Sequence, residues 1–235
     1  MRQFASWANE IVPGISFPLQ PGELHTMISA IFGAGWGNAT SASGARVADA
    51  VVAQYPASDY PPGALNEWWR ASAVVRDYIF ACPSRRLARA LDRRSVPVYR
   101  YHFAPDFCTQ PSLEDAGWID FQLLHCYHTS DLYYVWGHPW PKLGPARTFG
   151  PRMAGVTKVI QRYWSAFAHT ADPNKPATTA ANATTAAPWP RAHAPNSTVH
   201  KELTMRLAED MRVEEDYRGA ACDFLDRLCG QTGCY

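Results

Sequence analysis

The sequence predicts part of an α/β fold, in which one strand accompanies several helices. Helical periodicity is clearest from Met153 to His169, where apolar residues recur every three or four positions. The run from Val96 to Pro105 instead alternates β-branched or aromatic residues with others between prolines, a pattern typical of a strand that could lie well inside a sheet. Many helices with one strand are the ratio expected of a portion of an α/β domain.

Further helices are predicted on both sides of these elements. The segment GELHTMISAIFG, residues 22–33, has helical spacing and a glycine that can end it. A second helix covers Ala45 to Tyr55, and a helix-prone run extends from Ala64 to about Arg94, where Pro83 should divide it in two. Near the end of the chain, Tyr217 to Leu228 has the spacing of a docking helix.

Composition excludes several classes of protein. The chain has 235 residues, 47% of them hydrophobic, which is enough for one substantial core. Its 22 basic and 21 acidic residues form no basic block, so no nucleic-acid partner is expected. No window is apolar enough for a transmembrane span. Residues 178–188 are low in complexity and predict a surface loop.

Cysteines and glycosylation motifs indicate an oxidising compartment. The chain has six cysteines without a paired C-x-x-C set, and N-x-S/T motifs at Asn38, Asn182 and Asn196. This combination favours the secretory pathway or the extracellular space. The first residues lack the apolar region of a signal peptide, and a preceding segment would explain this.

Four motifs occur in a fixed order along the chain: ANE at 8–10, RDYIFACP at 76–83, YHTSDLYYVWG at 127–137 and RYWSAFAHTADPN at 162–174, followed by Trp189-Pro190. In these motifs the chain resembles the C-terminal part of type B carboxylesterases, the cholinesterase-like branch of the α/β-hydrolases. The resemblance implies that residues 1–235 form the C-terminal portion of an α/β-hydrolase domain, mostly helices around a few strands. Such a portion is incomplete without the N-terminal half.

The resemblance also implies the roles of two residues. His128 corresponds to the general base and acid of a serine hydrolase, and Glu10 to the carboxylate that orients it. The substrate would be a small-molecule carboxylic ester, with no cofactor.

Other candidate residues have more ordinary interpretations. Asp131 is better placed to cap the following turn, and the resemblance makes Asp77 a paired structural carboxylate. His102 and His125 are expected to be core histidines bonded to backbone. No metal site is predicted, because His125, Cys126 and His128 would need a further ligand such as Cys108 or His138, and such loose matches are common.

The nucleophile is missing from this sequence. No G-x-S-x-G elbow and no glycine-rich oxyanion stretch occur in the 235 residues, and the family order of serine, acid and histidine puts both upstream. We therefore expect that the chain alone does not turn over esters. Two alternatives remain, a non-catalytic adhesion domain of the same fold and a truncated product without function.

For the cysteines, the resemblance implies a bridge between Cys82 and Cys222. A bridge between Cys108 and Cys126 would hold the entry to the histidine turn. Cys229 and Cys234 could pair with each other, and the alternative is that all six thiols are free.

Overall fold

The computed structural model describes residues 16, 19–20, 22–33, 41–105, 126, 128–138, 151–175, 187–193 and 202–232. In chain order, the helices and strands of this part are α1 Glu23–Gly33, α2 Ser41–Gln54, α3 Asn66–Val75, α4 Cys82–Asp92, β1 Tyr101–Phe103, α5 Leu132–Trp136, α6 Pro151–Thr170, β2 Leu203–Leu207, β3 Arg212–Glu215 and α7 Gly219–Thr232. A short 3₁₀ turn covers Ala57–Asp59, and a π-helical segment covers Arg76–Ala81. No helix in this part of the chain has the length and hydropathy needed to cross a bilayer.

The chain folds as two compact units. One consists of Met1–Ala90 with Arg218–Tyr235, and the other of Leu91–Tyr217. The first unit is helical and is built from two stretches of chain that are far apart in sequence. The second contains the sheet and the histidine turn.

The helical unit buries one apolar side chain after another along α1, α2, α3 and α7. Its most deeply buried residues include Ile28, Val51, Val74 and Leu225, each at most 1% exposed. The predicted helices at α1, α2 and α7 are confirmed, with ends displaced by a few residues as is usual for helix boundaries.

The helical run is divided into two α-helices next to Pro83, as predicted, but the chain stays helical between them. It passes from α3 through the π-helical segment into α4, and Pro83 lies in the first turn of α4. The N–H of Cys82 bonds to the carbonyl of Asp77, five residues back. A wider turn ahead of the proline accommodates its ring and missing N–H, which an α-helix tolerates in its first turn.

The second unit contains a three-stranded sheet in the order β1-β2-β3. β1 is parallel to β2, with Tyr101 opposite Met205, and β2 is antiparallel to β3, with Met205 opposite Val213. Helix α6 packs its buried face against this sheet, and their shared core includes Ile160, Tyr163 and Leu207. The helices and small sheet agree with the predicted portion of an α/β-hydrolase fold.

Three details of this unit differ from the sequence predictions. The strand is three residues long rather than ten, and within the described sheet it lies at the edge. Prolines at 97 and 105 withhold the N–H groups that a longer ladder requires. Phe167, expected on the buried face of α6, is 48% exposed and contacts Tyr99 at the end of that helix. The hairpin β2-β3 was not predicted.

Candidate active site

His128 lies on a turn that leads directly into α5. The N–H of Leu132 donates to the carbonyl of Thr129 at 3.1 Å, and the N–H of Val135 donates to that of Asp131 at 3.1 Å. Thr129 has a φ of 74°, the left-handed conformation that β-branched residues rarely adopt. The reversal leaves the imidazole of His128 exposed at the surface.

Strand β1 holds this turn through two contacts. The ring of Tyr134, 2% exposed, packs on Phe103 with 4.9 Å between ring centroids. The hydroxyl of Tyr101 donates to a carboxylate oxygen of Asp131 at 2.7 Å. Burial and this carboxylate raise the pKa of Tyr101, so the phenol stays protonated as the donor. His128 is therefore carried by a turn tied to the sheet.

The role expected for Asp131 is corrected by this contact. Asp131 occupies the position before α5, but its carboxylate makes no capping hydrogen bond. The phenol on β1 offers a well-aligned donor from 30 positions away, and α5 has five residues and few amides to cap. A tertiary partner replaces the local one.

Close packing fixes the far end of α5. Gly137 ends the helix with a φ of 69°, and a Cβ at this position would lie 2.5 Å from Nε2 of Gln161 on α6. In the same turn as His128, Ser130 is 2% exposed, and its hydroxyl has no hydrogen-bond partner among the described residues. Sequence reasoning gave no signal for this buried hydroxyl.

The other predicted site residues lie largely outside the described part of the chain. These residues are Glu10, Cys108, His125, Asn38, Asn182 and Asn196. The structure therefore places the base of the predicted triad and gives no distance from it to the predicted acid.

Asp77, the structural carboxylate in the prediction, is fully buried in the helical unit. It accepts hydrogen bonds from the hydroxyl of Tyr55 at 2.9 Å, from Nε of Arg76 at 2.9 Å, and from both Nε and Nη2 of Arg218. Burial alone would lower the pKa of Arg218, but the hydrogen bond and charge of Asp77 raise it overall. Hydrogen bonds from three side chains therefore satisfy this buried carboxylate.

His102 is not bonded to backbone as expected. Its Nδ1 lies 3.1 Å from a carboxylate oxygen of Glu214 on β3, and its ring stacks on Tyr217 at 4.1 Å. The hydrogen bond from His102 lowers the pKa of Glu214 despite partial burial. Strand pairing brings these residues together, since His102 lies opposite Arg206 of β2 and Glu214 lies opposite Thr204 of the same strand.

A disulfide joins Cys82 to Cys222, the pair that the resemblance implies, with 5.1 Å between the Cα atoms. Cys126 and Cys229 are also disulfide-bonded. No described cysteine is a free thiol. Within the same residues, no group of three or more His, Cys, Asp or Glu side chains is arranged to hold a metal ion.

Comparison of the sequence with known protein families gives a match. The model of the carboxylesterase family matches residues 26–225, which include His128 and both halves of the bridge between Cys82 and Cys222. The chain belongs to the carboxylesterase family. The predicted relationship to type B carboxylesterases is thus confirmed, and Glu10 lies before the matched region.

Two curated relatives of this carboxylesterase-family chain are cholinesterases. It is 31% identical over 126 residues to acetylcholinesterase of Leptinotarsa decemlineata, which is 53% of this chain and 18% of that protein. It is 29% identical over 127 residues to acetylcholinesterase 1 of Caenorhabditis briggsae, which is 54% of this chain and 19% of that protein. The matched region thus spans about a fifth of the length of these relatives.

Proposed function

We propose that this chain carries the base of a serine carboxylic-ester hydrolase, with His128 as general base and acid and Glu10 as its orienting carboxylate. The exposed imidazole of His128, on a turn anchored to β1 inside the family match, is the observation that carries the proposal. The match crosses both compact units, which supports one hydrolase domain of which residues 1–235 are a portion.

The chemistry of acyl transfer follows from these roles. A neutral imidazole at His128 takes the proton of a serine hydroxyl as that oxygen attacks the ester carbonyl, and returns it to the departing alcohol. A carboxylate at Glu10 stabilises the transient imidazolium and keeps the productive tautomer. Water activated by the same imidazole then cleaves the acyl-serine.

The turn suits a base that must keep one position. Tyr134 and Asp131 tie it to β1 on one side, and Gly137 lets α5 approach α6 on the other. General-base catalysis depends on such fixed geometry, since small displacements lengthen the proton transfer. The contacts around His128 therefore serve as positioning contacts.

The serine itself is absent from these 235 residues, which contain no G-x-S-x-G elbow. We therefore propose that repeated ester turnover requires a polypeptide that carries the elbow and the oxyanion donors. For this chain we propose only the hydrolysis of small carboxylic esters, and we do not extend the choline specificity of the relatives to it. The bridge between Cys82 and Cys222 also supports a secretory or extracellular location.

A loop graft tests the role of His128. In a type B carboxylesterase, the histidine turn is replaced by residues 123–137 of this chain, and ester hydrolysis is measured for the graft and for its His128→Ala and His125→Ala forms. We expect His128→Ala to lower kcat by roughly 10⁴-fold to 10⁶-fold, as for removal of a triad base. His125→Ala, the matched control, should stay within a few-fold of the graft. Equal activity in the two variants would exclude His128 as the base.

The intact chain provides a second measurement that does not depend on the graft. Incubated with an aryl ester, it should release no more than about one equivalent of product per chain, because a single acylation without an oxyanion hole does not lead to fast turnover. Sustained turnover that persists in His128→Ala would contradict the proposal.

A further inference from the structure

The helical unit carries a second serine, histidine and carboxylate arrangement that the proposed function does not use. On α1, the Oγ of Ser29 lies 3.4 Å from Nδ1 of His25. On α2, the Oδ1 of Asp49 lies 2.9 Å from Nε2 of the same imidazole. His25 and Ser29 are four positions apart and therefore share one face of α1, and that face lies along α2.

In a neutral imidazole, the two contacts select one tautomer of His25. Asp49 is an acceptor, so Nε2 carries the proton and donates it, and Nδ1 of the neutral ring then faces Ser29 without a proton. The hydroxyl of Ser29 then donates to Nδ1, as a nucleophile does to its base. The order of the three groups is that of a hydrolase triad with the two ring nitrogens exchanged.

We propose that Ser29, activated by His25 and Asp49, is a surface acyl-acceptor site that reacts with activated carboxylic esters. In the step, the Oγ of Ser29 forms a bond to the carbonyl carbon while the proton passes to Nδ1 of His25. The bond between that carbon and the aryloxide oxygen then breaks, and Nδ1 of His25 transfers the proton to the departing aryloxide. The products are one O-acyl serine and one phenol.

The surroundings limit this site to activated esters. Ser29 lies inside α1, where backbone N–H groups are bonded to carbonyls four residues back and cannot stabilise a tetrahedral oxyanion. His25 and Asp49 are also open to water, with 46% and 73% of their side chains exposed. A good leaving group must therefore lower the barrier, and the reaction stops after one equivalent.

Ser58 provides an internal control in the same unit. It is exposed, and its hydroxyl donates to the carboxylate of Asp59 at 3.2 Å, but no hydrogen bond within the described part of the chain joins it to an imidazole. General-base assistance contributes roughly 10²-fold to 10⁴-fold to such reactions. We therefore expect Ser29 to be acylated at least about 100-fold faster than Ser58.

The experiment follows acetylation of the full chain by 4-nitrophenyl acetate, with peptide mass spectrometry at successive times. We expect acetyl on Ser29, loss of that product in Ser29→Ala, and a rate at Ser29 in His25→Gln that falls to the rate at Ser58. Asp49→Asn should give an intermediate rate. All three side chains lie at or near the surface, and circular dichroism confirms that each variant keeps its fold.

Two results would overturn the inference. One is a rate at Ser29 within a few-fold of the rate at Ser58 in the unaltered chain. The other is acetylation of Ser29 that His25→Gln leaves unchanged. Neither result depends on the role of His128, since the site lies in the helical unit and uses other residues.

Discussion

The bridge between Cys82 and Cys222 closes a loop of 140 residues, and opening it should be the most destabilising simple change to the helical unit. That unit is assembled from the chain up to Ala90 and the chain from Arg218, so folding must bring two distant stretches together. In the chain-entropy model, a loop of this length removes about 17 cal/mol/K from the unfolded chain, or about 5 kcal/mol at 25 °C.

The perturbation is Cys82→Ala with Cys222→Ala, measured by urea unfolding and circular dichroism under non-reducing conditions. Both sulfurs are fully buried, so their removal adds a packing loss of about 1 kcal/mol each. We expect the free energy of unfolding to fall by about 5 to 7 kcal/mol. The free energy of unfolding of most domains is about 5–15 kcal/mol in total, so the variant should be unfolded at a low urea concentration or even without urea.

A single Cys222→Ala variant separates the two contributions. One missing sulfur already opens the loop, and a lone buried thiol packs as a small apolar group. The single and double variants should therefore agree within about 1 kcal/mol, which is the packing of the second sulfur. A double variant that loses less than about 2 kcal/mol would refute the loop argument.

Three further changes test the packing and charges described above. Asp77→Asn should cost about 3–5 kcal/mol in urea unfolding, because it removes the charge of a fully buried carboxylate and leaves the partly buried guanidinium of Arg218 uncompensated. Asp226→Asn, in a pair whose side chains are each about one-third exposed, should cost about 1 kcal/mol or less, and equal losses for the two variants would contradict this explanation. Gly137→Ala should lower the melting temperature, because its φ is 69° and Gln161 lies close to the position of the added Cβ. Gly155→Ala should raise the melting temperature, because the added Cβ lies in open space on α6. A shift in the same direction for both variants would contradict this explanation. Burial and Asp77 raise the pKa of Tyr55, so the folded state keeps a proton that the unfolded state loses above pH 10.0. The free energy of unfolding should therefore fall by up to about 1.4 kcal/mol per pH unit above that value. Tyr55→Phe should remove this dependence from the curve of stability against alkaline pH.

Local patterns predicted most of the helices and the turn that bears His128. The repeat from Met153 to His169 depends on neighbours three and four residues away, and it corresponds to α6. The histidine turn is also a local pattern, in which Gly137 supplies the left-handed residue that ends α5. Periodicity failed at Phe167, which continues the apolar repeat of α6 but is 48% exposed.

Contacts between distant residues were not predictable in the same way. Asp131 was assigned to its own turn because sequence reasoning considers near neighbours first, whereas its partner Tyr101 arrives on β1. His102 meets Glu214 because β1 and β3 flank the same strand, and the hairpin that supplies β3 was missed. The arrangement of His25, Ser29 and Asp49 likewise required α1 to pack on α2.

By itself, the sequence determined the helical segments, the turn that bears His128, the absence of a nucleophile elbow, and, through its resemblance, the family. These properties reside in short stretches of chain, where the order of residues and their periodicity decide the outcome. The tertiary structure decided which partners the polar groups take: Tyr101 for Asp131, Arg218 for Asp77, and Asp49 for His25. The partners in such pairs are 24 to 141 positions apart in the sequence, and the packing of helices and strands brings them within hydrogen-bond distance. A pattern within one short segment contains no information about a partner that far along the chain.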